Sequence, residues 1–271
     1  MYGLSKQETA ILAQLSAAGK TIFSLPDVAA LKIGSQQSVW SVLSRLANKG
    51  WIRRLRRATY MIVPLEAGVN QAWAEDSFKL AQELFSPCYM AYRSALSHWQ
   101  LTDQVPAMTT VAVSKQTKLP QLSAIRRQFR LVRLAPYKFF GFTTIWRDQV
   151  KVNISDVEKT VLDCLEKPQY AGGLDQAIQA LLQARRNRFD LDKLDGYLQK
   201  MRNNTLRKRL GFVLDHFGAL DHPTKKNWQA RLNTNIALLD PLCSAEGKLC
   251  SEWRIRVNMD IASEMAQEQT S

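Results

Sequence analysis

Residues 24–64 read SLPDVAALKIGSQQSVWSVLSRLANKGWIRRLRRATYMIVP, and the order of start, stop and turn signals in this stretch decides the fold of the amino-terminal region. Ser24-Leu25-Pro26-Asp27 is a helix start. An acid three residues after the serine reaches back to the serine amide, and Pro26 in the first turn gives up an N–H that has no intrahelical partner anyway. A short helix runs from there to about Lys32. Ile33-Gly34 makes a turn, Ser35 caps a longer helix that continues to Asn48, and Gly50 stops it. Projection at about 100° per residue puts Val39, Val42, Leu43 and Leu46 on one stripe, which must be buried. Gln37, Ser41, Ser44 and Asn48 take the opposite face, with Trp40 and Arg45 on its flanks. Beyond Gly50, residues 51–55 and 59–63 read as two strands around Arg56-Arg57-Ala58.

Upstream of this stretch, Ser5-Lys6-Gln7-Glu8 has the Ser-x-x-Glu spacing of a reciprocal cap and starts a first helix that buries Ile11, Leu12 and Leu15. Three short helices followed by a cationic hairpin predict a winged helix-turn-helix whose third helix enters the major groove of double-stranded DNA. Gln36, Gln37, Ser38, Trp40 and Ser41 then lie nearest the bases, with Ser44 on the same face. Arg45, Lys49, Arg53, Arg54, Arg56 and Arg57 are placed on phosphates. Glutamine pairs bidentately with adenine, serine donates or accepts, and arginine takes a phosphate or a guanine edge. The plainer alternative is a small helical domain whose charges are only solvated. Four arginines within five residues, where a wing meets the sugar-phosphate backbone, argue against it.

At 271 residues the chain has room for two cores, and 46% hydrophobic with 23% charged residues excludes wholesale disorder. The net charge of +13 is unevenly spread. Residues 1–64 carry +7 (nine Lys or Arg against Glu8 and Asp27), residues 65–151 carry +5 (eleven against six), and the remainder +1 (seventeen against sixteen). Such a gradient implies a polyanionic partner for the first half and another task for the second. The expected organisation is α+β: a winged helix-turn-helix over residues 1–66, a linker over 67–74 marked by the Pro and Gly around it, and a larger mixed α/β domain over 75–271. In that domain helices are expected at Ser77–Phe85, Ser94–Gln100, Val157–Glu166, Leu174–Arg186, Leu191–Met201 and Leu206–Phe217. Strands are expected at Thr110–Ser114, Phe129–Leu134, Val150–Ile154 and Trp253–Val257. No apolar run approaches the ~20 residues that cross a bilayer, and the first residues lack the pattern of a secretory signal, so a cytoplasmic location is expected. The cations sit on a hairpin and on strands, with no amphipathic basic helix to lie on a membrane.

A winged helix-turn-helix followed by Ala91-Tyr92-Arg93-Ser94-Ala95-Leu96-Ser97-His98-Trp99-Gln100-Leu101, by residues 152–163 (VNISDVEKTVLD) and by Gly172-Gly173-Leu174 resembles the AbiEi family of bacterial antitoxins, of abortive-infection systems directed against phage. The resemblance runs from about Ser5 to Val257, and its most characteristic piece is Ser155 to Asp163. It implies a DNA-binding repressor that acts at inverted repeats upstream of its own operon. It also implies a carboxy-terminal domain that counteracts a nucleotidyltransferase toxin encoded beside it, without a stable complex between the two. An interaction protein that neutralises the toxin by direct contact, with DNA binding secondary, is the alternative. Relatives often have a glycine in the hairpin turn before the tyrosine. Here Arg57-Ala58-Thr59-Tyr60 has none, which implies a longer or non-primed turn.

Other residues invite chemistry and find a structural reading first. Asp156, Glu158 and Asp163 cluster, but Ser155-Asp156-Val157-Glu158 is another Ser-x-x-Glu start, and acids in a first turn complement the helix dipole. Asp240 with Glu246-Gly247-Lys248 resembles the carboxylate and Glu-x-Lys elements of some nucleases, but Ala245-Glu246-Gly247-Lys248 reads better as the turn into the last strand. His216, His222, Cys243 and Cys250 have no zinc-ligand spacing, and with Cys88 and Cys164 the four thiols are too few for a disulfide framework. No phosphate loop or nucleophile elbow is present. The expectation is no enzyme, no metal and no cofactor. Lys115, Lys118, Arg126, Arg127, Arg130, Arg133 and Lys138 are either a solvated face or a second nucleic-acid surface.

Overall fold

The computed structural model describes residues 3–33, 36–63, 76–120, 123–147, 150–187 and 189–261, with residues 36, 37, 123, 124 and 187 described in backbone only. The predicted Ser35 cap, the 67–74 linker and the polar tail after Ile261 lie outside these residues. The chain forms two compact units, residues 1–86 with 117–129, and residues 87–116 with 130–271.

In the first unit α1 spans Lys6–Ala17, β1 Ile22–Ser24, α2 Leu25–Ala30, α3 Gln36–Asn48, β2 Ile52–Arg56, β3 Thr59–Ile62 and α4 Ser77–Phe85. The caps form as the spacing requires. Ser5 N–H donates to Glu8 Oε2 (2.7 Å) while Glu8 N–H donates to Ser5 Oγ (3.3 Å). The Ser24 amide (2.7 Å) and hydroxyl (2.5 Å) both donate to Asp27. At the other end of α3, Gly50 turns left-handed at φ +78°, and the bonds Gly50 N–H to Ala47 O (3.0 Å) and Trp51 N–H to Leu46 O (3.0 Å) close the helix. The three strands pair antiparallel in the order β1-β3-β2, and β1 is a strand that the sequence did not announce. Its Phe23 stacks on Tyr60 across the ladder at 5.7 Å between ring centroids. Ile11, Leu15, Val28, Val42, Leu43, Leu46 and Ile52 fill the core between helices and sheet.

The second unit begins with β4 (Cys88–Met90), α5 (Arg93–His98) and β5 (Thr109–Val113). After α6 (Ser123–Arg126), which falls in the first unit, follow β6 (Phe129–Arg133), β7 (Phe142–Arg147), β8 (Val150–Ser155), α7 (Val157–Glu166), α8 (Leu174–Asn187), α9 (Leu191–Met201), α10 (Asn204–His216) and α11 (His222–Ala230). The last strands are β9 (Ala237–Leu238), β10 (Lys248–Cys250) and β11 (Ile255–Val257). A five-stranded mixed sheet runs β6-β5-β4-β8-β7, with β4 parallel to β8 and β7 antiparallel to it. A smaller sheet runs β10-β11-β9. Helix α7 is buried from Glu158 to Leu165, so even its polar residues are interior. Lys159 donates to Asp163 and, at 3.3 Å, to the Tyr89 hydroxyl, and this pairing makes burial of the two charges tolerable. Arg209 of α10 donates to the carbonyls of Leu239 (2.6 Å), Leu238 (3.2 Å) and Leu165, satisfying a buried guanidinium with backbone acceptors.

Three expectations are corrected. The cap of α7 is Asp156, which accepts from Lys159 N–H at 2.9 Å; Ser155 ends β8 opposite Phe142 and shares its hydroxyl with Thr160 (2.7 Å). The ladder claims Ser155, so the chain turns one residue later. Trp253 precedes the last strand and lies in the core against Gly211. Lys248, read as part of a turn, begins β10, antiparallel to β11.

Candidate nucleic-acid interface

Helix α3 is amphipathic in the sense the sequence requires. Val39, Val42, Leu43 and Leu46 are buried, while Ser41, Ser44, Arg45 and Asn48 are exposed and Trp40 is 46% exposed. The helix has no Asp or Glu. Ser38 is half-buried, and the Ser41 hydroxyl donates back to its carbonyl at 2.8 Å, a local bond that a groove partner can replace. Gln36 and Gln37 open the helix; their side chains lie outside the described residues.

Two of the predicted phosphate contacts are tied to an acid from α1. Glu8 is fully buried, and its Oε2 accepts from Lys49 Nζ at 2.7 Å while its Oε1 accepts from Arg45 Nε at 3.3 Å. Lys49 also donates to Gly3 O (2.9 Å), and Arg45 Nη1 donates to Ser41 Oγ (3.4 Å). The Lys49 ammonium and then the Ser5 amide hold the Glu8 carboxyl down to about 2. Lys49 is thus a strut between α1 and the end of α3 as well as a surface cation. Arg45 keeps about half its side chain exposed (49%) and remains directed along the polar face. Glu8 was legible as a cap; its link to residues 37 and 41 positions away has no local sequence signal.

The hairpin divides its arginines. The side chains of Arg54 and Arg57 are exposed and make no hydrogen bond or ion pair among the described residues, whereas Arg53 is half-buried. Arg56 is bonded to Thr59 Oγ1 (3.3 Å) and to the Leu84 carbonyl of α4 (2.9 Å). The register pairs Arg56 with Thr59 around a two-residue loop, with a bulge between Arg54 and Arg56 that turns Leu55 into the core. Ala58 has φ +57° and Arg57 does not have positive φ, so the turn is not of the primed kind.

Residues 11–63 match the AbiEi family model. Its description is a transcriptional regulator, AbiEi antitoxin. The match spans the core residues of α1, the helix pair α2 and α3 and the hairpin, which are the elements that carry the polar face and the arginines. The AbiEi resemblance seen in the sequence is borne out there. No curated protein matches the chain. Among solved structures, the RV2827C protein from Mycobacterium tuberculosis shares the fold with a TM-score of 0.67 at 13% identity, over 100% of this chain and 97% of that one. At that identity the likeness concerns the fold alone.

Of the residues with a nuclease-like spacing, Asp240 is engaged structurally. Asp240 accepts from Leu242 N–H (2.8 Å) and Cys243 Sγ (3.4 Å), while Glu246 is exposed. Among the described residues no three His, Cys, Asp or Glu side chains converge as a metal site, and no helix is long and apolar enough to cross a membrane.

Proposed function

We propose that the first unit binds double-stranded DNA as a winged helix-turn-helix and that the protein is a transcriptional repressor of its own toxin-antitoxin operon. The observation that carries this reading is α3: four apolar residues buried on one side and, on the other, an acid-free face of Trp40, Ser41, Ser44 and Arg45 in a segment that matches a transcriptional-regulator family. In this reading α3 lies in the major groove. Gln36, Gln37, Ser38, Trp40, Ser41 and Ser44 face the bases, and Arg45 with the hairpin arginines holds the backbone. Arg54 and Arg57 are the strongest candidates for phosphate contacts, since neither side chain is held by another among the described residues. Lys49, Arg53 and Arg56 stand at the edge of the same surface. The carboxy-terminal part counteracts the nucleotidyltransferase toxin.

Footprinting upstream of the operon tests the reading. A protected inverted repeat is the expected result, and Gln37→Ala is expected to change the preference among single-base variants of that repeat by about 1–3 kcal/mol at one position. No protection, or a Gln37→Ala protein with unchanged sequence preference, removes the groove assignment.

A further inference from the structure

Among the described residues four Phe, Trp or Tyr side chains are exposed. One is Trp40; the other three are Tyr137 (48%), Phe142 (39%) and Trp146 (62%), all in residues 137–146 of the second unit. Residues 134–147 contain no Asp or Glu. Cations lie over the rings along this stretch. Arg202 Cζ is 5.6 Å and Lys138 Nζ 5.9 Å from the Tyr137 centroid, Lys200 Nζ is 5.4 Å from that of the half-buried Phe140, and Lys151 Nζ is 5.2 Å from that of Trp146. Lys138 is neutralised by Glu166, and nearby Lys193 by Asp156 and Glu158. Arg202, Lys200 and Lys151 have no acidic partner among the described residues.

The stretch is held in place. Phe140 packs edge-on to Tyr197 of α9 (5.0 Å) and Phe139 packs on Phe142 (5.5 Å). Gly141 at φ +69° passes so close to Lys159 and Tyr197 that a Cβ there would stand 2.9 Å from each. From Gly141 the chain enters β7, the edge strand of the five-stranded sheet, where Phe142, Thr144 and Trp146 share one face at intervals of ~7 Å. Opposite them on β8 stand Asn153, bonded to Thr144 at 3.0 Å, and Lys151, in register with Trp146.

We propose that this ledge, running from Arg202 and Tyr137 past Phe140 to Trp146 and Lys151, binds single-stranded RNA. Every base presents a π-face, so a row of exposed rings accepts unpaired bases of any sequence, and cations beside the rings meet the phosphates between them. A duplex keeps its bases stacked inside and has nothing to offer such rings. The hydroxyl of Thr144 and the amide of Asn153 lie on the face that carries Trp146 and suit the 2′-hydroxyl that distinguishes RNA from DNA. The site is separate in residues and chemistry from the polar face of α3.

Anisotropy of a labelled oligouridylate dodecamer with the full-length chain tests the proposal. Trp146→Ala is expected to weaken binding roughly 5- to 100-fold, and Trp146→Phe to keep most of the affinity, because stacking rather than the indole N–H is used. Lys200→Ala with Arg202→Ala is expected to reduce the log-log salt slope by about 1.4. Trp146→Ala should still bind operator duplex, which shows that it is folded. Unchanged oligouridylate affinity in Trp146→Ala overturns the site. So does affinity that vanishes in Arg54→Ala, Arg57→Ala while Trp146→Ala retains it. An oligothymidylate strand bound as tightly as the RNA overturns the assignment to RNA, and binding of phosphatidylserine vesicles without binding of either strand assigns the ledge to a membrane surface instead.

Discussion

Ala58 sits at φ +57° in the hairpin turn, a conformation that costs a residue with a Cβ about 1–2 kcal/mol and costs glycine little. Ala58→Gly is therefore expected to stabilise the protein by about 0.5–1 kcal/mol, after the larger backbone entropy of glycine in the unfolded chain is deducted. Thermal unfolding checks it, and a lower melting temperature contradicts it. Glu8 makes a prediction of another kind. Its folded-state carboxyl is held down to about 2 against an ordinary value of 4.5, so the stability it confers is present above pH 4.5 and is lost as pH falls toward 2. Glu8→Gln should be less stable than the parent by about 2 kcal/mol at neutral pH, and the gap should close between pH 4.5 and 2. A gap that stays constant across that range would show that the Lys49 and Ser5 bonds do not act through the charge.

Among the elements, α3 has one buried apolar face and one exposed polar face, and its sequence pattern alone distinguished them. The buried stripe was predicted residue by residue because a helix period of 3.6 leaves only one arrangement for Val39, Val42, Leu43 and Leu46. Helix α10 shows the opposite case. Gly211 lies in its middle, where alanine would favour the helix by about 1 kcal/mol. A Cβ there would lie 2.1 Å from the Trp253 ring, which is itself fixed by a 2.9 Å bond from its indole N–H to Asp215. Gly211→Ala is expected to destabilise by about 1–2 kcal/mol in spite of propensity, since a rigid ring cannot yield as a flexible chain end does. Urea titration measures the sign directly; a stabilised Gly211→Ala would mean that Trp253 moves at little cost. Strands β1 and β4 escaped the sequence reading because each is only three residues long without clear alternation, and their hydrogen bonds come from partners far along the chain.

Over the whole molecule the charge gradient has a measurable consequence for DNA. With six phosphate contacts the log-log salt slope would approach about −5. Arg45 and Lys49 share Glu8, and Arg56 is bonded to Thr59 and Leu84, so the measured slope is expected to be shallower. Removing Arg54 and Arg57 together should flatten it by about 1.8 and weaken all sequences alike. A double variant whose slope equals the parent's would exclude them from the backbone contacts. Caps, stops, the buried stripe of α3 and the arginine run were fixed by the sequence itself, because each depends on residues within one or two turns of each other. Tertiary structure alone decided that Glu8 joins Arg45 to Lys49, that Asp156 rather than Ser155 caps α7, and that Arg202, Lys200 and Lys151 lie over the rings of Tyr137, Phe140 and Trp146. Those relations depend on the pairing and packing of separate elements, which set distances that no run of neighbouring residues encodes.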